Sequence, residues 1–174
     1  YPFLMLHSSI QLREIYCMAF SVVPNESDEF IAPRSAASFD FDGVMIQEMI
    51  KITKLPHEEA LNSFGVILRL IIDNKEGKKA PYSIDVAFAG NFQIVDSSID
   101  DSKQEEFALI NGCSMLYSVI RDQVMLISSR FIPGPIILPT VNFLDKKSNN
   151  EKVSVPTNSE DSSKEHKKQK NKKT

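Results

Sequence analysis

The sequence predicts an α+β fold, a four-stranded antiparallel sheet with one long C-terminal helix packed on one side. Three observations predict it. Four successive segments before residue 96 place apolar residues at every second position with no helical pattern between them, and consecutive strands of that kind pair antiparallel. From about residue 102 to 130 the apolar spacing lengthens to three and four, the period of an amphipathic helix. The 174 residues are 42% hydrophobic, which suits a single domain, since a domain of about 150 residues buries roughly 70% of the surface its unfolded chain exposes.

The first strand is IQLREIYCMAFSVVP, with Ile10, Leu12, Tyr16, Met18, Phe20 and Val22 on one face and Glu14 the interruption. Pro24 ends it. Residues 25–38, NESDEFIAPRSAAS, have the composition of an exposed loop yet carry Phe30 and Ile31 in their middle. The second strand, FDFDGVMIQEMIKI, alternates at Phe39 and Phe41 and loses its phase near Gly43, where a bulge or bend is expected because glycine inside a strand often marks one. LPHEEALN is a polar connection. The third strand places Phe64, Val66, Leu68, Leu70 and Ile72 in period two, and the fourth repeats this with Tyr82, Ile84, Val86, Phe88, Phe92 and Ile94. DNKEGKK between them is a hairpin loop in which Gly77 supplies a positive φ.

In the helix, Leu109, Cys113, Leu116, Ile120, Val124, Ile127 and Phe131 form the apolar stripe. Asn111-Gly112 is a candidate kink, because Gly costs about 1 kcal/mol relative to Ala inside a helix. Met115, Tyr117 and Met125 widen the stripe beyond what one sheet needs, which implies a second surface to cover. After the helix comes RFIPGPIILPTVNF, residues 130–143. Pro133, Pro135 and Pro139 exclude both a helix and a central strand there. Ile132, Ile136, Ile137, Leu138, Val141 and Phe143 must therefore lie against the protein's own core or against another chain. Residues 1–9 are a short N-terminal segment, 10–145 the domain, and 146–174 a Lys-rich tail with the composition of a disordered one.

Charge is unevenly placed. Eight of the 20 basic and four of the 23 acidic residues lie beyond Lys146, leaving the body at −7 and the tail at +4. An acidic body argues against a specific nucleic-acid interface, which needs clustered Lys and Arg. HKKQKNKK, residues 166–173, could hold RNA electrostatically, although a solvated tail explains it as well. Cys17 and Cys113 have no metal or redox spacing and read as buried free thiols, which fits a reducing, cytoplasmic setting. YPFLMLH lacks a basic flank and is too short for a signal peptide or a membrane span; with no initiator Met, residues upstream are left open.

No catalytic residue or cofactor is predicted. HEEAL at His57 lacks the second histidine of a zinc-protease helix, and no GxSxG, P-loop or GxGxxG pattern occurs. His7 and His166 have no acid–base partner nearby in sequence. Asp40 and Asp42 share a strand face and read as outward polar positions rather than as an acid–base pair. Phe30 and Ile31, taken with the proline-rich run, form the one constellation that calls for a functional explanation: walls of a groove for extended polypeptide, or side chains that pin a loop to its own core.

NGCSMLYSVIRDQVMLISSRFIPGPIILPTVNF resembles the bacterial export chaperone SecB and its relatives, through Gly112, Leu116, Tyr117, Arg121, Asp122, Pro139, Asn142 and Phe143. QLREIY and VAFAGNFQI resemble that family's first and fourth strands, so the likeness runs in order from about residue 10 to 145. It implies a homotetramer, a dimer of dimers with the long helices between sheets, and hydrophobic grooves that hold unfolded or nascent polypeptides. On that reading Phe30, Ile31, Phe39, Phe41, Ile132, Ile136, Leu138, Val141 and Phe143 contact clients, while Leu109, Cys113, Leu116, Ile120, Val124 and Ile127 form the oligomer interface. Export-dedicated members carry acids on the first strand to engage the SecA motor; here Ala19 and Val23 fall roughly there, so SecA as a partner is in doubt. Some SecB-like relatives instead guard an antitoxin, a second possible client. The competing class is a non-catalytic structural protein whose apolar loop seals a homo-oligomer.

Overall fold

A computed structural model describes residues 7–26, 35–56 and 62–144. Phe30, Ile31, His57, His166 and the Lys-rich tail lie outside the described residues. The sheet comprises β1 (Ile10–Pro24), β2 (Gln47–Lys54), β3 (Ser63–Ile72) and β4 (Tyr82–Ile94), and α1 spans Asp101–Ser128. Strand order is β1-β4-β3-β2 with every neighbouring pair antiparallel. β1 and β2 are thus the edges, and α1 covers one face, chiefly over β3 and β4.

Period two decides the two central strands. Val66, Leu68, Val86 and Phe92 are buried on the helix side, where Ala108, Leu116, Ile120 and Val124 complete the core. The opposite face is mixed, with Ile67 and Ala87 beside a bidentate Arg69–Asp85 pair at 2.7 and 2.8 Å. Gly112 lets helix and sheet approach. A Cβ there would meet Val66 Cγ2 at 2.9 Å and Phe92 Cε2 at 3.2 Å, and α1 runs without interruption through it. This glycine is a close-packing position, not the kink its propensity suggested.

Three further expectations are corrected. β1 does not keep one phase: register shifts between Leu12 and Glu14 and between Cys17 and Ala19 place Ile15 and Cys17 opposite Gly90 and Phe88, and Tyr16 opposite Ala89. The first extra residue turns Tyr16 away from the helix side, as a bulge does, and the second returns Phe20 and Val22 to it. β2 begins only at Gln47; residues 39–46 form a loop with a turn at Asp42-Gly43 and one bridge from Val44 to Gly77. Asp40 and Asp42 therefore share a turn, in which Asp40 Oδ1 accepts the Asp42 N–H at 3.0 Å. That bond and the nearby Lys78 hold the Asp40 carboxyl below its ordinary pKa.

The cysteines separate. Cys113 is buried in the core and burial pushes its thiol pKa up to about 12, whereas Cys17 on β1 is exposed, contrary to the expectation that both are buried. One thiol per native chain is expected to react promptly with a neutral-pH thiol reagent, and two after denaturation; prompt labelling at Cys113 in the native protein would contradict this packing.

Candidate functional site

The proline-rich run is fixed by tethers that lie far away in sequence. After α1 the chain turns at Phe131–Gly134, where the Gly134 N–H bonds to the Phe131 carbonyl at 3.0 Å. It then continues as an extended strap to Phe143 with no regular secondary structure. The Tyr82 hydroxyl, at the start of β4, lies 3.1 Å from the Ser128 carbonyl and 2.7 Å from that of Gly134. Ser128 Oγ accepts the Ile136 N–H at 2.9 Å, and the Ala36 N–H donates to the Pro133 carbonyl at 2.8 Å. Further along, the Tyr117 hydroxyl donates to the Pro139 carbonyl, and its ring stands edge-on to Phe143 at 5.8 Å. Burial raises the Tyr117 pKa to about 12 although Arg121 acts to lower it, so that hydroxyl stays protonated and remains a donor.

These tethers sort the strap's side chains. Ile136, Leu138 and Phe143 point into the core, at 0%, 2% and 3% exposure, while Ile132, Ile137 and Val141 stay exposed. Three of the residues expected to contact clients are thus core of the single chain, because the extended backbone alternates its side chains between core and solvent. Phe39 and Phe41 are half-buried. Their rings meet edge-on at 5.2 Å, and Lys78 Nζ stands 4.9 Å over Phe39 and 2.6 Å from the Asp40 carbonyl. The β3–β4 hairpin therefore braces this loop.

Loop and strap enclose an open cleft of about 560 Å³, lined by Phe39, Phe41, Ile46, Arg121, Ile137 and Leu138 among others. The backbones of Ile137 and Thr140 in its lining, and of Val141 next in the chain, make no hydrogen bond to a described residue. The cleft can take an apolar side chain while the strap offers backbone donors and acceptors to an extended chain. Ile46 and Ile137 were missed as site residues; Ile137 follows from the strap's alternation once Ile136 is known to point inward.

The six helix residues expected at an oligomer interface lie elsewhere. Leu109, Cys113, Leu116, Ile120 and Val124 are buried beneath α1 against its own sheet, and Ile127 is half-buried. Of the helix's other large apolar residues, Phe107, Ile110, Met115 and Val119 are half-buried and Met125 and Leu126 exposed. A second apolar surface was also missed, a depression of about 360 Å³ on the sheet face away from α1, between Met18 on β1 and Met49 on β2. On β1, Tyr16 and Met18 are exposed, and Leu12, Ile15 and Phe20 also reach solvent although the register turns them to the helix side.

Replacing Tyr82 with Phe tests the tethers. The buried Gly134 carbonyl loses its donor while the Ser128 carbonyl keeps the Phe131 N–H, and an acceptor left unpaired costs about 1–3 kcal/mol. The urea midpoint is expected to fall, and amide exchange at Ile136 to quicken; an unchanged midpoint would show that the strap is held by packing alone.

No family model matches the sequence. Over 93 residues the chain is 29% identical to an uncharacterized protein of Methanocaldococcus jannaschii, an alignment spanning 53% of this chain and 59% of that protein. Among solved structures it is similar to a SecB-like chaperone of Mycobacterium tuberculosis in complex with an antitoxin peptide, at a TM-score of 0.47 and 18% identity over 77% of this chain and 91% of that one. It is also similar to a protein of unknown function from Streptococcus agalactiae, at a TM-score of 0.43 and 9% identity over 75% and 97% of the two chains. No helix among the described residues is long and apolar enough to cross a membrane.

Proposed function

We propose that this chain is a non-catalytic chaperone that holds unfolded or nascent polypeptide without nucleotide. The observation that carries the reading is the cleft beside the strap: apolar walls at Phe39, Phe41 and Ile46 next to an extended segment whose outward backbone groups have no partner among the described residues. An unfolded client offers side chains for the first and backbone for the second, as in strand-addition recognition. A folded protein seldom offers both in one extended segment, because its strand edges are normally covered.

Magnitudes limit the mechanism. Burying one Leu or Phe of the client gains about 1.5–3 kcal/mol, and ordering each client residue costs roughly 1–2 kcal/mol of backbone entropy. One cleft is barely favourable. Several clefts on one assembly act together, because linked sites raise avidity without new chemistry. A homotetramer, a dimer of dimers, meets that need, and the outer edge of β1 is a candidate for its first contact. That edge is 15 residues long and unpaired among the described residues, with Met18 59% exposed. Exposed edges of this kind are normally covered.

The same edge favours a second reading, a structural protein whose apolar surface only seals a homo-oligomer. Light scattering from a denatured client diluted into the protein without ATP separates the two. Delay of aggregation at near-stoichiometric ratio supports the chaperone; no delay with several clients, from a chain that is oligomeric by mass measurement, supports the structural reading. The client set includes an antitoxin and a preprotein, and mixing with SecA asks whether export is served.

A further inference from the structure

Arg121 is the uncommitted cation of the cleft. It comes from α1 one turn after Tyr117, is half-buried, lines the cleft beside Leu138 and Pro139, and makes no hydrogen bond or ion pair with a described residue. Two polar groups nearby are occupied. Asp40 is engaged by the Asp42 N–H at 3.0 Å and by Lys78 at 3.6 Å, and the Tyr117 hydroxyl is held by the Pro139 carbonyl. Asp42 is exposed at the rim.

A guanidinium differs from an ammonium in this setting. It is weakly hydrated and presents a planar fork that matches a carboxylate with two parallel hydrogen bonds. Here Arg121 shares the cleft's lining with Phe39, Phe41, Ile46 and Ile137 and is half-buried, and a half-buried ion pair is stronger than one on the open surface. We propose that Arg121 is a specificity-determining residue which selects extended polypeptide segments carrying a single Asp or Glu side chain next to bulky apolar residues. The carboxylate pairs with Arg121 while its apolar neighbour enters the cleft. Asp40 and Asp42 also line the cleft and repel any acid beyond the one that Arg121 pairs, so a run of acids is not the ligand. This rests on the polypeptide-binding reading above and adds a sequence preference to it.

Two fluorescent ten-residue peptides test it, both blocked at their termini and apolar apart from one central position that is Glu in one and Gln in the other. Anisotropy titration with the full chain is expected to show the Glu peptide binding roughly tenfold more tightly at low salt. Arg121→Gln is expected to erase the difference between the peptides, and Arg121→Lys, which keeps the charge without the fork, to leave part of it. Equal affinity of the two peptides for the unmodified chain overturns the assignment of Arg121 and leaves polypeptide binding standing. A preference that survives in a folded Arg121→Gln chain overturns it likewise. Binding of neither peptide overturns the assignment of Arg121, and the polypeptide reading then stands or falls on whether the same chain delays aggregation of a denatured client.

Discussion

Leu116→Glu is expected to unfold the single chain, not merely to dissociate an assembly. Leu116 is 0% exposed, packed between α1 and the sheet with Val66, Phe92 and Ile120 in one core. Emptying such a site costs about 2–5 kcal/mol. An unpaired carboxylate adds to this, because a buried charge without a partner is costly even after its pKa rises. Against a typical total stability of about 5–15 kcal/mol, the folded state loses most or all of its margin. Far-ultraviolet circular dichroism and a urea titration read the result directly. A folded monomer with an ordinary midpoint would show instead that Leu116 serves an interface between copies.

Ile136→Ser and the pair Ile132→Ser with Ile137→Ser are expected to act oppositely, although all three residues lie in one short segment. Ile136 is 0% exposed with its N–H on Ser128 Oγ, whereas Ile132 is 67% exposed. The Ile136 change removes buried apolar volume and costs about 2–5 kcal/mol. The outward pair changes stability by about 0.5 kcal/mol or less, as surface substitutions usually do, but removes apolar contact at the strap. A large fall in urea midpoint with Ile136→Ser, and a several-fold loss of aggregation suppression at unchanged midpoint with the outward pair, are the expected results. Equal effects on stability would mean that the strap does not alternate.

Much of the fold was readable from spacing alone. β3, β4 and α1 sit where their periods place them, since central strands and a helix over them bury one whole face and so imprint it on the sequence. The edges were harder. β1 has the expected bounds but not the expected phase, because two bulges change which residues share a face while the string of apolar letters stays continuous. In β2, Phe39 and Phe41 alternate like strand residues, yet the Asp42-Gly43 turn and the brace from Lys78 make them loop.

The site was half visible for a related reason. Three prolines announced an extended backbone that needs a support, but which of its side chains turn inward depends on Tyr82, Ser128 and Tyr117, whose proximity exists only in the folded chain. Helical periodicity likewise identified Leu109 to Val124 as apolar. Period alone cannot tell whether such a stripe meets its own sheet or a neighbour, and here the sheet takes it.

The most direct test of the strap-and-cleft site is photo-crosslinking to a denatured client, with a photoreactive side chain introduced in turn at Ile132, Ile137 and Ile136. Covalent adducts from positions 132 and 137, and none from position 136, are the expected pattern. Absence of adducts from 132 and 137, in a chain shown to be folded, would contradict a polypeptide-binding role for this surface.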